Sequence, residues 1–216
     1  MFDLLHLSPS LLIAFSAYFM GVASPGPSNM AIMNTAMRDG CKSALILAAG
    51  VVMGSLTWGL LAAFGLSALL TAWSGALIVM KILGGLYLLW LAFKSARSAL
   101  RKRDAAIDAG PARKHSARTL LLRGLAMHLT NPKAIFVWLS IISMALPPQA
   151  SAANALFFVA SCVVIATVVF GGYALLFSTP QARRIYRSIG RWLDGALALT
   201  FGYAGLRILL SKTPTP

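Results

Sequence analysis

Acidic side chains are nearly absent from this sequence: its 216 residues include five carboxylates, all aspartate, and no glutamate. So few acids leave no pair suited to acid–base catalysis. Cysteine is scarcer still. Cys41 and Cys162 give no disulfide framework, and with three histidines they form no cluster of zinc-binding spacing. No glycine–lysine phosphate loop occurs either. The expectation is therefore a protein that is not an enzyme, with no cofactor, no metal and no ATP-driven step of its own. Met1–Ser8 holds no Lys or Arg. It thus lacks the basic region of a cleavable signal peptide, and the first hydrophobic helix is expected to be retained.

What is present is apolar. Hydrophobic residues make up 58% of the chain and mean hydropathy is +0.78, which excludes an ordinary soluble domain. Apolar runs cover 11–23, 44–70, 76–93, 120–146, 156–177 and 193–210. Most approach or exceed the roughly 20 residues that cross a bilayer as helix. These runs also lack the polar stripes of a soluble bundle. The pattern predicts an all-α integral membrane protein with six transmembrane helices.

The net charge of +14 is placed, not spread. Lys94, Arg97, Arg101, Lys102, Arg103, Arg113, Lys114 and Arg118 crowd one link, and Arg183, Arg184, Arg187 and Arg191 another. Arg38 and Lys42 mark a third, while the alternate links 66–75 and 147–154 hold no Lys or Arg. This alternation puts the basic links in the cytoplasm and both termini in the periplasm. The same cations meet anionic lipid headgroups. Nucleic acid is not an expected partner, because the central link has no aromatic side chain to stack on bases.

Two apolar runs are interrupted by proline. The first reads Ala23-Ser24-Pro25-Gly26-Pro27-Ser28-Asn29, and the fourth Leu129-Thr130-Asn131-Pro132-Lys133-Ala134. A broken helix frees backbone groups that lipid cannot satisfy, so such breaks survive where protein or a cavity surrounds them. Whether each is an unwinding or only a kink is open from sequence. Residues 94–118 divide the chain into a first half, 1–93, and a second, 119–216, each starting with its broken helix. Three helices per half orient the halves oppositely, so the expected architecture is two inverted three-helix repeats. Pro27 lies 11 residues from Arg38, and Pro132 lies 9 from Arg123. At about 1.5 Å per residue both breaks fall near mid-membrane. The half-helices beginning there would aim free N–H groups at the centre, suited to a carboxylate, while carbonyls before the breaks suit an ammonium. The candidate substrate site is Pro25, Gly26, Pro27, Asn29, Asn131, Pro132 and Lys133.

These residues resemble a known family. Pro25-Gly26-Pro27 with Asn29, Gly40, Gly50 and Gly54 is similar to the N-terminal signature of the LysE/RhtB amino-acid exporters. Lys81, Gly84, Tyr87 and Leu88, then Arg123-Gly124-Leu125 and Asn131-Pro132-Lys133-Ala134, match its later motifs. The resemblance spans almost the whole chain. It implies an exporter of amino acids or related metabolites in the bacterial inner membrane, driven by the proton gradient.

Each ionisable residue in the apolar runs has a second reading. Lys133 either holds a substrate carboxylate or ties down carbonyls freed by the first break. Lys81, His128 and Asp194 are candidates for proton coupling. Lys81 could instead cross-link helices, and His128 could be a hydrogen-bonded structural histidine. For Asp194 the plainer alternative is an ion pair with Arg191 at the lipid interface. Gly50 and Gly54 allow close helix contact, within one copy or between the copies of a homodimer, and contact within one copy is the simpler reading. A basic substrate would want a carboxylate that the site lacks, so a neutral amino acid is expected. Two other functions are weighed: a channel or metal-ion exporter, which would want acidic rings or a histidine-rich loop, and a thiol–disulfide relay, which would want cysteines beside the prolines.

Overall fold

A computed structural model describes residues 9–24, 26–72, 76–100, 115–146 and 150–210. All the structure described is helical, with no strand among the described residues. The order is α1 (Pro9–Ala23), α2 (Pro27–Asp39), α3 (Cys41–Ala72), α4 (Ala76–Leu100), α5 (Ala117–Leu129), α6 (Pro132–Ala145), α7 (Ala152–Phe177) and α8 (Pro180–Leu210). Short polar residues start several of them. Ser116, Asn131 and Ser151 each accept a backbone N–H from two or three residues ahead, opening α5, α6 and α7. Gly40, at φ 85°, makes the sharp turn between α2 and α3, a conformation that favours glycine.

Among the described residues two helices are long and apolar enough to cross a membrane, α7 and residues Cys41–Gly65 of α3. A third crossing of that quality forms if α5 and α6 are taken together across their break, where the axis bends by 60°. The fourth run is thus interrupted by a capped break, not by a gentle kink. The first run likewise divides into α1 and α2, with Gly26 extended before Pro27.

Packing does not follow the two halves of the sequence. Among the described residues α3 packs mainly against α5 and α7 of the other half, and α4 mainly against α8. Where lipid replaces water as the solvent, helices associate by close contact between small residues. A Cβ on Gly50 would run into the carbonyl oxygen of Leu121, and one on Gly124 into that of Leu47. The backbones of α3 and α5 therefore touch. Gly54 continues the face, since a Cβ there would fall 2.9 Å from the β-carbon of His128. Contact within one copy accounts for Gly50 and Gly54. In the same way Gly85 of α4 and Gly205 of α8 abut, the Gly85 position lying against Leu209. Two packed bodies result: α4 with α8, and a larger one of the other six helices. Among the described residues the contacts that join them are light, mainly from α4 to α6 and α3 and from α8 to α7. The larger body is centred on Tyr18, Ile32, Leu47, Val51, Trp138, Phe158 and Cys162.

Candidate functional site

The first break leaves four carbonyls, at residues 21–24, whose helical partners would be the N–H groups of residues 25–28. Prolines 25 and 27 have none to give. Each carbonyl is met by a side chain instead. Gly21 O accepts from Ser24 Oγ (3.0 Å), Val22 O from Asn29 Nδ2 (2.9 Å), Ala23 O from the hydroxyl of Tyr173 (2.7 Å) and Ser24 O from Lys133 Nζ (2.5 Å). The second break is satisfied locally. Thr130 bonds back to Ala126 and Met127 through its hydroxyl, and Asn131 N–H bonds to His128 O. A buried backbone group without a partner is costly in lipid, so these donors permit the breaks.

Side chains from both breaks then meet. The hydroxyl of Tyr87 donates to Asn131 Oδ1 at 3.2 Å, and Asn131 Nδ2 donates to Ser28 Oγ at 3.3 Å. Ser28 Oγ lies 2.9 Å from His128 Nδ1. Ser28 Oγ can accept from both Asn131 and His128 or donate to His128 Nδ1, and the imidazole tautomer sets which. Asn131 Oδ1 also accepts the backbone N–H of Lys133 at 3.1 Å, capping α6. Beside the chain, Ser55 Oγ accepts from Trp138 Nε1 (3.0 Å) and bonds to the Tyr18 hydroxyl (3.0 Å). Ser28, Asn29, Ser55, His128 and Asn131 are all buried. The void they surround, with Lys133, is about 20 Å³. That is room for one water-sized group and not for an amino acid.

A much larger cavity, about 670 Å³, adjoins this junction between α2, α4, α5 and α8. Gly26 and Pro27 line it, and so do Arg38, Asp39, Lys94, His115 and Arg123. Unlike α6, α2 starts with no side-chain hydrogen bond capping its first turn. Gly26 also presses on the Lys133 stem, a Cβ there falling 3.0 Å from Lys133 Cδ. Asp194 lines the cavity as well, only 4% exposed, with Oδ2 accepting from Ser98 Oγ at 2.7 Å. Asp194 is thus buried against α4, on the cavity wall.

The expected residues therefore separate into groups. Gly26, Asn29, Asn131, Pro132, Lys133 and His128 gather at the junction, whereas Asp194 belongs to the cavity. Pro25 and the side chain of Lys81 lie outside the described residues. Asn29 and Lys133 both bond to backbone freed by the first break, which for Lys133 is the structural alternative. Sequence reasoning gave no site role to Ser28 or Ser55 and passed over Tyr173 and Ser98. Ser28 had a signal, standing directly after Pro27 in an apolar run. Tyr173 and Ser98 had none, since their roles depend on which helices meet.

Residues 19–212 match the LysE type translocator family. The chain is 29% identical over 198 residues to a threonine efflux protein of Escherichia coli (strain K12), covering 90% of this chain and 95% of that one. It is 29% identical over 196 residues to a threonine efflux protein of Salmonella typhi, with the same coverage. A leucine efflux protein of Klebsiella pneumoniae subsp. pneumoniae is 30% identical over 152 residues, 68% of this chain and 70% of that one. No solved structure matches it. The two broken helices, the buried polar junction and a family match over nearly the full length agree: the chain is a membrane protein that belongs to the LysE type translocator family.

Proposed function

We propose that this protein is a secondary exporter of neutral amino acids across the bacterial inner membrane, coupled to protons. The observation that carries this reading is the junction of the two breaks, where Ser28, His128, Asn131 and Lys133 converge on one buried polar void. Buried polar groups at a mid-membrane break are expected where a substrate passes. The threonine and leucine efflux relatives supply the substrate class.

On this reading α1 with α2, α3, α4, α5 with α6, α7 and α8 are six spans in two inverted repeats, 1–93 and 119–216, joined by the basic linker 94–118. Both termini are periplasmic, and the cavity of about 670 Å³ faces the cytoplasm. Substrate comes from that cavity to Gly26 and Pro27, where the uncapped first turn of α2 can receive its carboxylate. The Lys133 ammonium then exchanges the Ser24 carbonyl for the substrate carboxylate, and Asn29 and Asn131 stay as supports. Pro132 holds the start of the half-helix α6. Lys81, His128 and Asp194 are the groups able to take part in coupling.

Efflux from preloaded vesicles tests the reading, comparing the native chain with Lys133→Met. The native chain is expected to release threonine or leucine faster than empty vesicles do, and the variant to lose at least tenfold of that rate. A fully active, stably folded variant would make Lys133 a tether only and move the site. Vesicles in which no amino acid moves with the native chain would overturn the export assignment.

A further inference from the structure

The cavity of about 670 Å³ must close on the cytoplasmic side before a substrate can leave by the other. It lies between the two packed bodies, with α2 and α5 of the larger body on one wall and α4 and α8 on the other. Gly85 against Gly205 locks α4 and α8 into one unit. Across the gap the Tyr87 hydroxyl of α4 reaches Asn131 Oδ1, at the depth of the second break. Light contacts around one such bond let the pair swing as a unit against the rest.

The two walls carry opposite charges towards the mouth. Among the described residues Asp39 is the only acidic side chain of the larger body, and it lines the cavity at the end of α2. Its Oδ1 is buried with no hydrogen-bond partner. A carboxylate oxygen that has left water without gaining a donor is unfavourable, and such an atom calls for an explanation. On the facing wall Lys94 is the only basic side chain among the described lining residues. Its Nζ rests 5.1 Å from the centre of the Trp90 ring, a cation–π contact within α4 that is readily exchanged. Lys94 lies seven residues, about 10 Å of helix, beyond Tyr87, so rotation about the Tyr87–Asn131 bond moves it a long way. Asp194, the other described acid, is bonded to Ser98 inside the α4–α8 pair and travels with it.

We propose that Asp39 and Lys94 form the cytoplasmic gate of this transporter, unpaired in the open cavity described and paired when the α4–α8 unit swings against α2. Pairing gives the Asp39 oxygen its donor, lifts Lys94 from Trp90 and closes the mouth over Asn34. Arg38 and Arg123 stand on the same body as Asp39, so the swing does not bring them to it. This inference rests on the export reading, because only a transporter that opens alternately to the two sides needs such a closure.

Two measurements in inside-out vesicles test it. In a chain whose Cys41 and Cys162 are alanine, Asp39→Cys with Lys94→Cys should form a disulfide on mild oxidation, which needs Cα atoms within about 7 Å. That bond should stop amino-acid transport, and reduction should restore it. In the native background Asp39→Asn and Lys94→Gln should each slow transport a few-fold, the scale of one partly exposed ion pair. The exchanged pair, Asp39→Lys with Lys94→Asp, should return to within about twofold of the native rate, whereas Arg123→Gln should match the native rate. If one single variant fails to fold, the other and the disulfide decide the question. A cysteine pair that does not cross-link, or an exchanged pair as slow as the single variants, overturns the gate while export stands. An Arg123→Gln variant as slow as Lys94→Gln overturns Lys94 as the partner. A native chain that moves no amino acid overturns the export reading, and cross-linking then still decides whether the two walls meet.

Discussion

A lysine inside an apolar run needs oxygen around its ammonium, and Lys133 finds the Ser24 carbonyl at 2.5 Å. Its proline neighbour and apolar surroundings made Lys133 legible in the sequence, as they did Asn131 and His128. The partner was not legible, because Ser24 lies 109 residues away on another helix. Asp194 shows the converse. Arg191, three positions earlier on the same helix, suggested an interface pair, but nothing near it in the sequence pointed to Ser98 on α4 or to the cavity. Ser55 is the residue whose removal has the simplest outcome. Its hydroxyl serves Trp138 and Tyr18, so Ser55→Ala leaves two buried donors short of a partner. We predict a loss of about 1–3 kcal/mol, seen as a lower thermal midpoint in detergent. An unchanged midpoint would mean that Trp138 and Tyr18 find other acceptors.

Among the elements, the α3–α5 crossing is the tightest fixed point. Gly50 and Gly54 signalled a close-packing face, but the sequence held no sign that Gly124, alone in its helix, was the other side of it. Gly50→Leu would drive a side chain into the Leu121 carbonyl. The expected result is a marked loss of folded protein after detergent extraction, from an overpacking cost of about 1–3 kcal/mol or more. Normal yield and a normal midpoint would show that α5 can back away. The two breaks also differ at this scale. Thr130 and Asn131 satisfy the second from within, whereas the first depends on Lys133 and Tyr173 from α6 and α7. Tyr173→Phe should therefore loosen the first break alone, read as faster amide exchange at Gly26, Ser28 and Asn29 with the exchange of α5 and α6 unchanged.

For the molecule as a whole, the charge pattern named a cytoplasmic end and the prolines named a depth. Neither could indicate which ends of the helices stand apart. The large cavity, with Arg38 and His115 on its wall, predicts access from the basic side. Asn34 lines it and is exposed. With Cys41 and Cys162 replaced by alanine, Asn34→Cys should react with a membrane-impermeant thiol reagent in inside-out vesicles and not in intact cells. Labelling from outside intact cells would reverse the assigned orientation.

The crossing of α3 with α5, and of α4 with α8, also sets an order for making the protein. While only residues 1–93 have been synthesised, the glycine groove on α3 and the small face of α4 have nothing to close on. Lys133 and Tyr173 are also missing, so two carbonyls of the first break stand bare in lipid. The first half must therefore wait at the insertion machinery for the second, and a chain stopped in the linker should be degraded quickly. Supplying 119–216 as a separate polypeptide should rescue it, which pulse–chase of the two fragments, alone and together, would reveal.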